Sequence, residues 1–245
     1  AFISSFPDNI FRVNMIMYSP SYMSMKLNQG MISGIMLVED YNPLILKKIV
    51  PPLNTKDQIH QLYNVKYEIA IDTMRGAPYF AEKKDRLPRA WMAYNAVTVP
   101  EPKVERTMRG GNYNYAHTVV LEEQAPFAMN QVDSTTVANV KCLEYKNDEF
   151  KYQVNTPKSG MLCFSEIWYP AWKAYVDGAE VKMYRANSCL RAVPVPAGNH
   201  TVEMRYESDT FRTGSMITIF TLLASVLGLV FLKPDKKNED EEQED

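Results

Sequence analysis

The feature that most constrains this chain is the segment 214–232, "GSMITIFTLLASVLGLVFL", in which nineteen consecutive residues carry no charge. As a helix rising about 1.5 Å per residue, the segment nearly matches the hydrocarbon core of a bilayer, roughly 30 Å thick. A helix of this length on a soluble protein normally carries a polar stripe, and this segment has none. The sequence therefore predicts a transmembrane helix over 214–232.

Charged residues beside this segment predict its orientation. Lys233, Lys236 and Lys237 follow it directly, whereas a single arginine stands close before it. Because positive residues favour the cytoplasmic side, we expect the tail 233–245 to be cytoplasmic and residues 1–212 to be extracytoplasmic. The tail is short and highly charged, so we expect no folded core in it.

The beginning of the chain and one face of the helix both point to further membrane segments. "AFISSFPDNIF" has neither the basic nor the apolar region of a signal peptide, although an extracytoplasmic domain must be exported. Small residues recur at spacings of three and four along the helix, at Gly214, Thr218, Thr221, Ser225 and Gly228. Such faces let membrane helices approach one another closely. We therefore expect the C-terminal part of a longer membrane protein, packed against upstream transmembrane helices.

The composition excludes some classes of function. Lys and Arg number 27 against 29 Asp and Glu, a net charge of −2, so we expect no nucleic-acid partner. The three histidines lie in unrelated segments without the spacing of a zinc site. In an extracytoplasmic domain, one pair among Cys142, Cys163 and Cys189 can form a disulfide, which leaves the third cysteine free. We favour the alternative, three buried free thiols.

Residues 1–100 mix helical and strand patterns, which indicates an α+β unit. Thr55 and Gln58 form a capping-box pattern at the start of a short helix. Alternating apolar residues in "YNVKYEIAID" are typical of a half-buried strand. The elements expected are a strand over 8–18, a loop over 19–36, helices over 41–50 and 55–62, and strands over 63–72 and 90–99.

The second half of the chain is predicted to be all-β. Residues 101–115 contain prolines, charges and a Gly-Gly pair and are interpreted as a connection. Over 116–208, short strand-like runs alternate with turn signals such as "PKSG", "DG" and "PAGNH", as in a β-sandwich. The predicted fold is thus an α+β unit over 1–100, a sandwich-like domain over 116–208 and one transmembrane helix.

The run over 160–207 combines a strand ending in "YPAW", a "VDG" turn, and the later pieces "RAVPVPAG" and "HTVEMRYE". Together with "DYNPLILKKI", "LYNVKYEI" and "LPRAW" upstream, it resembles the C-terminal extracytoplasmic region of bacterial multispanning membrane proteins of the YfhO type. The resemblance covers most of residues 10–232. Ala171 stands where that family has glycine, so the backbone there must avoid a positive φ.

The resemblance implies a GT-C-like glycosyltransferase of the bacterial cytoplasmic membrane. Such enzymes move a sugar from a polyprenyl-phosphate carrier to a cell-envelope polymer outside the cell. Their catalytic acid lies in the first extracytoplasmic loop, which no part of this chain matches. We therefore assign no catalytic residue, no metal and no cofactor. The partners expected are the lipid bilayer, upstream transmembrane helices, the lipid-linked sugar and the polymer.

Four aromatic residues near the "YPAW" turn are the candidate saccharide-binding residues. Trp168, Tyr169, Trp172 and Tyr175 would form an exposed platform on which sugar rings stack, because aromatic faces suit the apolar side of a saccharide. The alternative is structural, with Trp172 filling the sandwich core. We favour the structural alternative. In either case the "DG" dipeptide predicts a tight hairpin.

Two arginines are candidate contacts for a phosphate or a polymer. Arg89 and Arg191 lie beside apolar strand residues, in segments where the resembled family also has arginine. A guanidinium group binds phosphate well. The alternative is a salt bridge between subdomains, which we favour.

The sequence therefore supports two functions of different classes. In the first, the module binds or positions the saccharide acceptor while the chemistry takes place elsewhere in the protein. In the second, it is a non-enzymatic structural or assembly domain that packs on membrane helices or on a partner protein. Burial of all three of Trp168, Trp172 and Tyr175 would favour the second.

Overall fold

The structure, a computed structural model, describes residues 10–14, 34–38, 46, 48–129 and 137–231. Within these ranges it contains fourteen strands in three sheets and three helices. Residues up to Tyr206 form one compact unit, and residues from Glu207 onward form a second. The fold is α+β with the character of a β-sandwich and with one apolar C-terminal helix, which confirms the predicted fold class.

A six-stranded sheet forms the centre of the first unit. In spatial order its strands are β4 (Ala90–Ala93), β9 (Gly160–Ile167), β13 (Leu190–Val195), β12 (Tyr184–Ala186), β6 (Thr118–Leu121) and β5 (Asn95–Thr98). Leu162 and Phe164 of β9 belong to one apolar core, and Met161 and Cys163 belong to another. Successive side chains of a strand point to opposite faces, so both faces of this sheet are buried. Burial on both faces explains why β9 is a continuous apolar run.

A five-stranded antiparallel sheet covers one face of the central sheet. Its strands, in spatial order, are β11 (Ala179–Val181), β10 (Trp172–Val176), β14 (Gly198–Tyr206), β8 (Glu149–Thr156) and β7 (Asn139–Tyr145). Val154, Val202 and Met204 of this sheet share a buried cluster with Leu162 and Phe164. The two sheets thus form the predicted sandwich, with an apolar core between them.

Two short helices contribute to the core on the opposite face of the central sheet. They are α1 (Lys56–Leu62) and α2 (Glu101–Gly110). Leu62 of α1 and Val104 and Met108 of α2 are buried in the same cluster as Met161 and Cys163. Val104 and Met108 are four residues apart, so α2 presents one apolar side to this core. Helices and sheets therefore share a single folded unit.

A three-stranded sheet completes the first unit. It consists of β1 (Arg12–Asn14), β2 (Val65–Ile71) and β3 (Pro78–Glu82), with β2 in the middle. β1 runs parallel to β2, and β3 runs antiparallel to it. Phe11 and Val13 are buried with Tyr67 packed against them. These contacts fix β1, which carries Arg12.

The second unit contains the helix α3 (Asp209–Phe231). Of the helices in the described ranges, it is the one long and apolar enough to cross a membrane, over Asp209–Leu229. The hydroxyl of Thr218 donates to the carbonyl of Gly214, 2.9 Å away, and the hydroxyl of Ser225 donates to the carbonyl of Thr221, 2.8 Å away. Because these side chains are satisfied within the helix, they are compatible with a lipid environment.

Several predicted elements are confirmed, and others differ. α1 begins after Thr55, whose hydroxyl accepts the Gln58 amide at 3.3 Å. The strand predicted over 90–99 is interrupted at Tyr94, since the amides of Tyr94 and Asn95 both donate to the carbonyl of His117.

Two elements of the structure were not predicted from the sequence. They are α2, which lies in the predicted connection, and β3. The helix expected over 41–50 lies mostly outside the described residues. Within that range, residues 46 and 48–50 are described, and they are not helical. The predicted domain boundaries stay predictions.

The "DG" dipeptide forms the predicted hairpin between β10 and β11. Asp177 has φ 51° and Gly178 has φ 82°, the left-handed geometry of a two-residue type I′ turn. Val176 pairs with Ala179 directly across it. Ala171 is not among the residues with positive φ in the described ranges, as its side chain requires. The prediction of a tight hairpin at the "DG" dipeptide is therefore confirmed.

Candidate functional site

A pocket of about 590 Å³ lies where strands of all three sheets begin or end. Its charged lining residues are Arg12, Arg89, Lys146, Glu166 and Arg191. Its volume falls within the range of about 300–1,000 Å³ that is typical of small-molecule sites. We call the part formed by Arg12, Arg89, Arg191 and Glu166 the arginine pocket.

An irregularity in strand pairing supplies the carboxylate of this pocket. Arg191 pairs with Phe164, but its neighbour Leu190 pairs with Ile167. Ser165 and Glu166 are therefore extra residues on β9, in the manner of a β-bulge. Bulges redirect side chains and are common beside functional sites. Here the bulge brings a carboxylate to the end of an otherwise apolar strand.

Glu166 holds two of the three arginines. Its Oε2 accepts from Nη2 of Arg12 at 3.1 Å, and its Oε1 lies 2.7 Å from Nη2 of Arg89. The hydroxyl of Tyr145 donates to the same Oε1 at 2.9 Å. Burial alone would raise the pKa of Glu166, but the three nearby guanidinium groups outweigh it and lower the pKa below its usual value. Glu166 is therefore an ionised counterion.

Arg89 and Tyr145 belong to the same network. Burial would lower the pKa of Arg89, but the charge of Glu166 outweighs it, so the pKa is raised. Burial raises the pKa of Tyr145 to about 12, so its phenol stays neutral and can donate. The guanidinium of Arg89 also lies over the Tyr145 ring, 5.1 Å from its centre.

Arg191 differs from the other two arginines because it contacts aromatic faces rather than a carboxylate. Its guanidinium lies 4.3 Å from the centre of the Trp172 ring and 5.5 Å from that of Phe150. The residue is 3% exposed, and no carboxylate among the described residues lies within ion-pair distance of it. Burial lowers its pKa to about 10. Arg191 is a buried cation without a dedicated anion in this part of the chain.

A row of aromatic rings leads from this pocket to the surface. Tyr145 stacks on Phe150 at 4.6 Å between ring centres, and Phe150 stacks on Trp172 at 4.7 Å. Trp172 meets the edge of Tyr206, which in turn stacks with Tyr169 at 6.3 Å. Tyr169 is 39% exposed and Tyr206 is 44% exposed. We call these five residues the aromatic row, whose outer end faces solvent in the first unit.

The predicted aromatic residues therefore do not lie on a single surface. Trp172 and Tyr169 belong to the aromatic row. Trp168 is half-buried beneath the guanidinium of Arg185, 4.2 Å from its ring centre. Tyr175 lies beside Arg205 and points to the opposite face of β10 from Trp172, as strand alternation requires. The structure thus brings together two of the four.

The two predicted arginines do come together, along with residues that sequence reasoning missed. Arg89 directly precedes β4, and Arg191 lies on β13, which β9 separates from β4 in the same sheet, yet both line one pocket. The missed residues are Arg12, Tyr145, Phe150, Glu166 and Tyr206. One signal was available for Glu166, because a carboxylate within the apolar run "GMLCFSEIW" needs a buried partner.

The arginine pocket and the aromatic row contain no histidine or cysteine among the described residues. Among the described residues, no three His, Cys, Asp or Glu side chains are grouped as a metal would require. Cys142, Cys163 and Cys189 are all free thiols, as favoured from the sequence, but only Cys163 and Cys189 are buried, whereas Cys142 is half-buried. Burial raises the pKa of the Cys189 thiol to about 12, so it is not a thiolate at neutral pH.

Comparison with known families shows to which family the chain belongs. Residues 93–218 match the family described as bacterial membrane protein YfhO. This chain belongs to the YfhO family. The matched segment includes Glu166, Trp172, Arg191 and Tyr206, together with the first residues of α3. In comparisons with curated proteins and with solved structures, nothing matched.

Membership in the YfhO family confirms the resemblance and identifies α3 as the apolar segment of a membrane protein. The match does not extend to "DYNPLILKKI", "LYNVKYEI" or "LPRAW", which precede residue 93. Arg12 and Arg89 also precede it. The aromatic row, in contrast, lies wholly within the matched segment.

Proposed function

We propose that this chain is the C-terminal extracytoplasmic portion of a lipid-linked-sugar-dependent glycosyltransferase, in which it binds and positions the saccharide acceptor. The observation that carries the proposal is the aromatic row, which runs from exposed Tyr169 and Tyr206 to a charged pocket. Catalysis takes place elsewhere in the full protein. The donor is a polyprenyl-phosphate sugar, and the acceptor is a cell-envelope polymer.

The physical basis is the match between aromatic rings and sugars. Tyrosine and tryptophan present an apolar face and a polar edge, which suits the C–H surface and the hydroxyl groups of a saccharide. Tyr169, Tyr206 and Trp172 supply such faces in the first unit. Arg89 and Arg191 then contact a phosphate or another charged group of the acceptor. Trp168, beside Arg185, and Tyr175, beside Arg205, stay predicted saccharide contacts, although both side chains are half-buried.

Sidedness is part of the proposal. Residues 1–212 lie outside the bacterial cytoplasmic membrane, α3 spans it, and the tail 233–245 is cytoplasmic. The lysines that follow the helix in sequence support this orientation. Upstream transmembrane helices of the same protein pack against α3.

A second candidate function is a structural or assembly role. It is favoured by α3, whose large apolar side chains are exposed along its length, for example 78% for Phe220 and 81% for Leu229. The small-residue face from Gly214 to Gly228 suits packing on other membrane helices. In this alternative the module holds membrane helices or a partner protein together and binds no saccharide.

The test compares saccharide binding by the full chain in neutral detergent micelles and by two variants. Tyr206→Ala removes one exposed ring of the aromatic row, whereas Tyr79→Ala removes a ring of similar exposure, 52%, on β3. An array of bacterial envelope oligosaccharides is the probe. We expect wild type and Tyr79→Ala to bind the same saccharides and Tyr206→Ala to lose most of that binding. Absence of binding by wild type, or equal loss in both variants, would favour the structural alternative.

A further inference from the structure

Among the described residues, the arginine pocket carries more positive than negative charge. Arg12, Arg89 and Arg191 face it with one carboxylate, that of Glu166. Lys146 also lines the pocket but pairs with two surface glutamates, Glu144 and Glu149. The side chains of Arg12 and Arg89 are 15% and 6% exposed. Buried charges are normally paired, so an excess of this kind needs an explanation.

Several hydrogen-bond donors of the pocket arginines also lack an acceptor among the described residues. Arg12 donates to the Tyr63 carbonyl and to the Ser165 hydroxyl in addition to Glu166. In contrast, Nε and Nη1 of Arg89 and of Arg191 are buried without a hydrogen-bond partner in the part of the chain that the structure describes. Water would satisfy the donors but not the charge. An oxyanion would satisfy both.

The surroundings restrict which oxyanion fits. The pocket volume of about 590 Å³ exceeds the needs of a small inorganic ion and is suited to an organic ligand. Trp172 lies directly beneath Arg191, and Tyr206 meets Trp172 at 5.6 Å between ring centres. A group bound at Arg191 would therefore continue along aromatic faces, where a sugar ring stacks.

We propose that the arginine pocket binds the phosphate group of a phosphorylated saccharide, with the attached sugar on Trp172 and Tyr206. This inference rests on the proposed function for the sugar and adds the chemical class of the ligand. Arg191 is the principal phosphate contact because it has no carboxylate among the described residues. Glu166 opposes the bound phosphate by its charge and compensates part of the charge of Arg12 and Arg89 while the pocket is empty. The site therefore distinguishes charged from neutral saccharides.

The experiment measures binding to the full chain in neutral detergent micelles by calorimetry, with glucose, glucose 1-phosphate and inorganic phosphate as probes. We expect glucose 1-phosphate to bind at least about tenfold more tightly than glucose, since one charge-assisted hydrogen bond is worth a factor of that order. Arg191→Gln should abolish this preference. Arg205→Gln, which removes an arginine beside Tyr175 on the outer face of the sheet, should retain it.

A second variant tests the pocket while keeping all three arginines, and its binding is measured at a temperature well below its Tm because the substitution also lowers stability. Glu166→Gln removes the competing carboxylate, so it should bind glucose 1-phosphate more tightly than wild type does, by about threefold or more. Equal affinity of wild type for glucose and glucose 1-phosphate would overturn the inference and leave the proposed function standing. Equal affinity for inorganic phosphate and glucose 1-phosphate would mean that the sugar makes no favourable contact in this pocket, which would contradict the proposed function.

The remaining arm distinguishes a saccharide phosphate from a lipid headgroup. Micelles that contain phosphatidylglycerol are compared with neutral micelles at the same ionic strength. We expect the affinity for glucose 1-phosphate to be unchanged. Displacement of glucose 1-phosphate by the anionic lipid would assign the pocket to a headgroup and overturn the saccharide inference.

Discussion

Replacement of Glu166 by glutamine is predicted to destabilise the first unit substantially. The substitution keeps the volume of the side chain and one carbonyl oxygen, but it removes the negative charge that, among the described residues, faces Arg12, Arg89 and Arg191. Loss of one partner from a buried ion pair typically costs about 3–5 kcal/mol. Because the side chain of Glu166 is 13% exposed and glutamine can still accept one hydrogen bond, we expect the lower end, about 3 kcal/mol.

The assay is thermal unfolding of the full chain in neutral detergent micelles, followed by near-ultraviolet circular dichroism. For a unit of this size, a loss of about 3 kcal/mol lowers the Tm by roughly 6–12 °C. The matched control is Glu123→Gln, which breaks an ion pair with Lys182 in which both side chains are more than half exposed. An exposed pair of this kind contributes less than about 1 kcal/mol, so the control should unfold within about 3 °C of wild type.

Inorganic phosphate provides an internal check on the cause. If the instability of Glu166→Gln comes from uncompensated arginines, an added oxyanion should raise the Tm of the variant more than that of wild type. A Tm shift for Glu166→Gln no larger than that of Glu123→Gln would refute the reasoning. It would show that the three guanidinium groups need no counterion from β9.

Two further predictions concern packing and pH. A Cβ on Gly160 would lie 2.9 Å from the carbonyl oxygen of Ala93, so Gly160→Ala should lower the free energy of unfolding by about 1–3 kcal/mol, measured by thermal unfolding. The control is Gly110→Ala, which has open space around it and should change stability by less than about 1 kcal/mol. The hydrogen bond that the His200 ring donates to the Asp177 carboxylate raises the pKa of His200. The stabilisation from this pair is therefore fully present below about pH 6.5 and is lost as the pH rises through the folded-state pKa. Wild type should therefore lose stability between about pH 6 and pH 8 by less than about 1 kcal/mol, and Asp177→Asn should show no such loss.

The sequence predicted correctly the elements that are determined by a few neighbouring residues. α1 follows from the capping box at Thr55, and the β10–β11 hairpin follows from Asp177 and Gly178. The strands after residue 116 follow from turn signals at regular spacing. α2 was missed because its prolines and the Gly-Gly pair at its end indicate a connection, although Val104 and Met108 repeat at helical spacing. Its helical state depends on burial of those two side chains in the core.

The site was less predictable because its residues come from distant segments. Tyr145, Phe150, Trp172 and Tyr206 lie on four different strands, and strand pairing alone brings them into contact. Arg89 and Arg191 were identified individually, but their common pocket depends on the pairing of both regions with β9. The separation of Tyr175 from Trp172 required knowing that the strand begins at Trp172 and alternates from there.

The most direct test of the account follows the indole N–H signals of the three tryptophans by nuclear magnetic resonance while glucose 1-phosphate is added to the full chain. Trp91 is buried and donates to the Tyr115 carbonyl, Trp168 lies beneath Arg185, and Trp172 lies beneath Arg191. The account predicts that the Trp172 signal shifts with saturation, that the Trp91 signal stays in place, and that the same titration of Arg191→Gln moves neither. A saturable shift confined to Trp168, or no shift at all, would contradict it.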